Sequence, residues 1–74
     1  MKEQLDLMNK YGLKEIRTRI DDYMRCMEIT FYSKDNKCVR RLVPFETITK
    51  TSEMYFHVLF HNMGEEIKAD ENRT

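Results

Sequence analysis

Tryptophan is absent from the 74 residues, proline occurs once, and glycine and cysteine occur twice each. Two glycines leave no material for the glycine-rich loops that cradle phosphates in P-loop or dinucleotide-binding proteins. The two cysteines, Cys26 and Cys38, match no zinc-ligand spacing. With no secretory apolar region ahead of them, they are expected as reduced thiols in a cytoplasmic protein. Long hydrophobic runs are also missing: none is longer than Val58-Leu59-Phe60, far short of the roughly 20 apolar residues that span a bilayer. Charged residues begin at Lys2, Glu3 and Asp6, a pattern unlike a signal peptide. No membrane partner is therefore expected. Finally, an excess of one charge is lacking, because 13 basic and 13 acidic residues cancel. Nonspecific coating of nucleic acid, which depends on surplus positive charge, is disfavoured.

What is present describes a small folded domain. Apolar residues make up 41% of the chain, too many for an intrinsically disordered sequence of this kind, and charged residues 35%. No repeat, linker or low-complexity segment divides it, so residues 1–69 are expected as one domain and 70–74 as a disordered tail. The core of so short a chain is thin, and a second copy is one way to complete it.

Leu5, Met8, Ile16, Ile20, Tyr23 and Met27 recur at helical spacing, with Arg17, Arg19, Asp21, Asp22 and Arg25 largely off that stripe. The spacing predicts one or two N-terminal helices, broken at Gly12. At Met27 the period changes to two: Met27, Ile29 and Phe31 alternate with Glu28, Thr30 and Tyr32, a half-buried strand. A polar turn over 33–37 and a returning strand from Cys38 to Val43 complete a hairpin. Pro44, lacking a backbone donor, belongs at a strand end, edge or bulge. Thr47, Ile48 and Thr49 favour continuation of that strand after the kink. Residues 51–63 fit two descriptions. As a helix, Ser52 would cap it and Gly64 would end it. As a strand, Met54, Phe56, Val58 and Phe60 face one way and Tyr55, His57, Leu59 and His61 the other. The alternation favours the strand, followed by a turn at 62–64 and a short strand over 65–69.

Few residues suggest chemistry. His57 and His61 stand four apart; on a helix that spacing brings two imidazoles to one metal, whereas on a strand they lie about 13 Å apart. Val58 stands where a His-Glu-x-x-His metalloprotease needs glutamate. Neither cysteine sits in a nucleophile motif, and the adjacent carboxylates Asp21-Asp22 and Glu65-Glu66 fit a solvated surface. No catalytic residue, metal or cofactor is therefore expected. Charge is unevenly distributed: residues 14–41 carry eight basic and five acidic groups, residues 42–74 three basic and six acidic. Such a chain can meet a basic partner with its C-terminal half and an anionic one with Arg40-Arg41.

From Ile16 to about Ala69 the order of features resembles the WYL-type ligand-sensing domains of bacterial regulators. The corresponding pieces are 16–23, Ile29-Thr30-Phe31-Tyr32, Arg40-Arg41-Leu42-Val43-Pro44, Met54-Tyr55-Phe56 and Gly64-Glu65. Met54 stands in place of the name-giving tryptophan, and the later arginine-bearing segment is missing. The resemblance implies a small curved sheet of SH3- or Sm-like form and no particular ligand.

The expected fold is α+β, with one or two N-terminal helices on a twisted antiparallel sheet of three to five strands. The expected function is noncatalytic: a small interaction or regulatory protein, an adaptor or inhibitor of the kind phages and mobile elements encode. It would bind another macromolecule, most simply a protein, through a sheet face or edge, and the same edge could form a homodimer. Candidate binding residues are Arg40, Arg41, Tyr32, Tyr55, His57, Leu59 and His61. The alternative is a nucleic-acid or nucleotide-binding module in which Arg40 and Arg41 work with neighbouring aromatics.

Overall fold

The computed structural model describes residues 2–71. In chain order it contains helix α1 (Lys2–Tyr11), strands β1 (Leu13–Asp21), β2 (Cys26–Ser33) and β3 (Cys38–Pro44), and helices α2 (Phe45–Lys50) and α3 (Glu53–Glu71). The α+β class and the hairpin follow the sequence expectation. The sheet is an antiparallel meander in the order β1-β2-β3, an open sheet of three strands rather than an SH3- or Sm-like form.

Helix α1 stops at Gly12, whose φ of 64° is the left-handed conformation that ends helices. The helix expected beyond it is a strand. Ile16, Thr18 and Ile20 put β-branched side chains at every second position, and they lie opposite Phe31, Ile29 and Met27 of β2. Tyr23, expected on a buried helical stripe, is 93% exposed in the turn between β1 and β2. That turn is held by the Met24 amide donating to Asp21 Oδ1 at 3.0 Å. Arg25 follows at a φ of 52°.

Pro44 ends β3, where a missing donor costs nothing, but the strand expected after it is helix α2. The register explains the change. Pro44 pairs with Cys26, the first residue of β2, so a longer β3 would have no partner strand. The Phe45 amide donates to Arg25 O at 3.1 Å, and a helical turn then satisfies the next backbone groups internally.

The strands expected over 51–63 and 65–69 are together one helix of 19 residues, and the turn expected at 62–64 lies inside it. Phe56, Phe60, Met63 and Ile67 form its inward stripe against α1 and the sheet. Gly64 does not end this helix. It sits against the ring of Tyr11, where an added Cβ would lie 2.3 Å from Cδ2. Of the tail expected over 70–74, positions 70 and 71 close α3 and the rest lie outside the described residues.

The core lies between the helices and one sheet face. It contains Tyr11 and Leu13, Ile29 and Phe31 of β2, Val39 and Val43 of β3, and Met63 and Ile67 of α3. Ile48 brings α2 against the same core. Two pieces that carried the WYL resemblance have exchanged character: 16–23 begins as strand, and 54–56 is helix.

Candidate functional site

Side chains on a strand alternate between faces, so the core residues fix what the opposite face presents. Register places three rows there: Glu15, Tyr32 and Cys38; Arg17, Thr30 and Arg40; Arg19, Glu28 and Leu42. Helices α1 and α3 pack on the other side. The open face carries a connected set of charges. Arg17 reaches Glu15 at 2.8 Å, and Glu28 is approached by Arg19 at 3.3 Å and Arg40 at 3.9 Å. Arg19 also lies 3.8 Å from Asp21. The guanidinium of Arg17 stands 5.4 Å from the centre of the Tyr32 ring, within the range of a cation–π contact. Thr30, only 5% exposed, is flanked across the strands by Arg17 and Arg40. Leu42 remains 54% exposed at one edge.

Of the expected binding residues, Tyr32 and Arg40 therefore share a surface. Arg41 does not, because adjacent strand residues point to opposite faces; it is turned toward α3 and pairs with Glu66. The expected sheet face of Tyr55, His57, Leu59 and His61 does not exist. On α3 these residues advance about 100° per position, so alternate residues diverge. Leu59 packs on the core, while Tyr55 is partly exposed with its ring edge-on to Phe56 at 5.4 Å.

The helix does unite His57 and His61. Their rings lie 4.5 Å apart at one wall of a groove of about 600 Å³ between α1 and α3. Leu7, Phe56 and Phe60 give the groove an apolar floor, and Asp6, Lys10 and Glu53 charge its margin. His61 Nδ1 is 2.7 Å from the hydroxyl of Tyr11, which is itself 3.4 Å from Glu65 Oε1. Partial burial, followed by the nearby His57 and Lys10, lowers the proton affinity of His61 below the ordinary value of 6.5; Glu65 opposes them. Sequence reasoning did not connect Tyr11 to this group, which lies 50 positions away in the chain. Its only signal was an aromatic residue next to the helix-ending Gly12.

The two thiols are free, Cys26 buried and Cys38 exposed. They lie at opposite ends of the β2–β3 ladder, opposite Pro44 and Tyr32 respectively, about 20 Å apart at 3.3–3.4 Å of rise per residue. That separation is too great for a disulfide. Among the described residues no helix is long and apolar enough to cross a membrane. No group of three or more metal-ligating side chains occurs among them either. Comparison of the chain with protein-family models, curated proteins and solved structures finds no match.

Proposed function

We propose that this chain is a small noncatalytic interaction protein, an adaptor or inhibitor, whose open sheet face binds another protein. The observation that carries this reading is the uncovered face itself. Three hydrogen-bonded strands hold Tyr32, Arg40 and Leu42 in fixed register beside paired charges, while the helices occupy the opposite side. A prearranged surface of this kind orders few backbone groups on binding and so loses little entropy.

The balance of charge favours a protein over a nucleic acid. Arg17, Arg19 and Arg40 stand among Glu15, Asp21 and Glu28, and each arginine has a carboxylate within 4 Å. A polyanion gains affinity from cations that are not already compensated. A protein surface of mixed charge can exchange partners with this network around the apolar contacts of Tyr32 and Leu42. The separated free thiols suit a reducing cytoplasmic setting.

The test is capture of partners by the wild-type chain and by Leu42→Asp and Tyr32→Ala variants of unchanged circular dichroism. The reading expects a discrete protein partner whose capture falls at least tenfold in both variants. Undiminished capture would remove the open face from consideration. Oligonucleotide binding that weakens steeply with salt would replace this reading with the nucleic-acid one.

A further inference from the structure

We propose that His57 and His61 form a two-nitrogen binding site for a divalent transition-metal ion such as Zn²⁺ or Ni²⁺, with Tyr11 and Glu65 orienting the inner ligand. A metal about 2.0–2.1 Å from each nitrogen lies roughly 3.2 Å from each ring centre. Two imidazoles sharing it then have centres about 4.5–5.2 Å apart for bond angles of about 90–109°. The observed 4.5 Å lies at the near end of that interval. The proposal is independent of the open sheet face, which is on the other side of the molecule.

Hydrogen bonding supplies the second argument. A ligating histidine commonly donates its other ring N–H to an acceptor, which fixes its tautomer and orientation. Tyr11 has one hydroxyl proton and two neighbours, His61 Nδ1 at 2.7 Å and Glu65 Oε1 at 3.4 Å. The arrangement that satisfies all three groups has the hydroxyl donating to the carboxylate and Nδ1–H donating to the hydroxyl oxygen. The lone pair of His61 Nε2 is then free for a metal. Tyr11 is 1% exposed, so its oxygen is held in place by the core.

Lys10 repels a cation at this groove, whereas Asp6 and Glu53 on the same margin attract one. Because no third ligating side chain completes the set among the described residues, solvent fills the remaining positions. Such a site binds more weakly than a closed structural zinc site and retains exchangeable positions for a further ligand.

The experiment uses the full chain carrying Cys38→Ser, which removes the exposed thiol as a competing soft ligand. Zn²⁺ and Ni²⁺ binding is measured by calorimetry and by the shift in melting temperature, each with and without chelator. One ion per chain should bind and raise the melting temperature, and chelation should reverse the shift. These histidines are the chain's only two, so His57→Ala, at an exposed position, and His61→Gln should each abolish the effect. Tyr11→Phe keeps the ring but removes the oxygen; it should weaken metal affinity about 10–100-fold when measured well below its own melting transition. No saturable binding, or binding that survives His57→Ala, overturns the site. Unchanged affinity in Tyr11→Phe overturns the positioning role of Tyr11.

Discussion

Replacing Gly64 with alanine sets a gain in helix propensity against a steric cost. On helix propensity alone, alanine within α3 stabilises the protein by about 1 kcal/mol. Packing acts the other way, because the added Cβ would lie 2.3 Å from Cδ2 of Tyr11, 2.5 Å from Cγ and 2.6 Å from Cε2. Carbon atoms normally pack about 3.5–4.0 Å apart, so ring or helix must yield by roughly 1 Å. The ring has little freedom, since Tyr11 is 1% exposed and its hydroxyl lies 2.7 Å from His61 Nδ1. Overpacking of this kind costs about 1–3 kcal/mol. Displacing the hydroxyl contact adds about 1 kcal/mol.

The sum favours destabilisation by about 1–3 kcal/mol after the propensity gain is subtracted. At about 4–8 °C per kcal/mol for a domain of this size, the melting temperature should fall by about 4–24 °C. Thermal unfolding followed by circular dichroism measures the shift, and urea titration should move the midpoint without changing the slope. In a Tyr11→Leu background, where the ring is absent, the cost of Gly64→Ala should shrink, with a coupling of about 0.5–3 kcal/mol between the two positions. An alanine variant as stable as the wild type would refute the close approach of α1 and α3.

The metal-free protein should lose stability in acid as His61 protonates. Its folded proton affinity is lowered by burial, then by His57 and Lys10, so the contribution is fully present above the ordinary value of 6.5 and declines as pH falls through the folded value. Melting temperatures recorded from about pH 5 to 8 in chelator should show that decline, and an equal slope in His61→Gln would contradict it. Arg25 holds a φ of 52° at an exposed turn position, so Arg25→Gly should stabilise by a few tenths of a kcal/mol to about 1 kcal/mol, relief of left-handed strain exceeding the added chain entropy. A lower melting temperature would count against strain there. A thiol-reactive dye should modify Cys38 rapidly and Cys26 only after unfolding, because the first is exposed and the second buried; two fast thiols would contradict the burial of Cys26.

The hairpin was legible because Met27, Ile29 and Phe31 set a period of two bounded by a polar turn. The neighbouring elements were not, because a spacing of four belongs to both periods. Ile16 and Ile20 are one helical turn apart, yet they are also two strand alternations apart. Thr18 between them is the residue that distinguishes the two, and it faces Ile29 across the ladder. In 54–61 every position is apolar, aromatic or histidine, so alternation can be drawn through any such run. The helical stripe shows only when Phe56 and Phe60 are extended to Met63 and, past Gly64, to Ile67. Gly64 read as a terminator conceals that extension; in the structure it admits the Tyr11 ring instead.

The period of each segment also decides which chemistry can converge. As a strand, 51–63 would align Tyr55, His57, Leu59 and His61 on one face and keep the imidazoles about 13 Å apart. As a helix it disperses that face, yet brings the imidazole rings within 4.5 Å and sets His61 against a hydroxyl from α1. On β3 the opposite holds: a period of two separates Arg40 from Arg41, adjacent in sequence, and unites Arg40 with Tyr32 and Arg17 from other strands. The open sheet face and the histidine pair are thus consequences of the same assignment. An experiment that placed 53–71 in a strand would remove the metal site and rebuild the surface proposed for protein binding, whereas loss of metal binding alone would leave that surface intact.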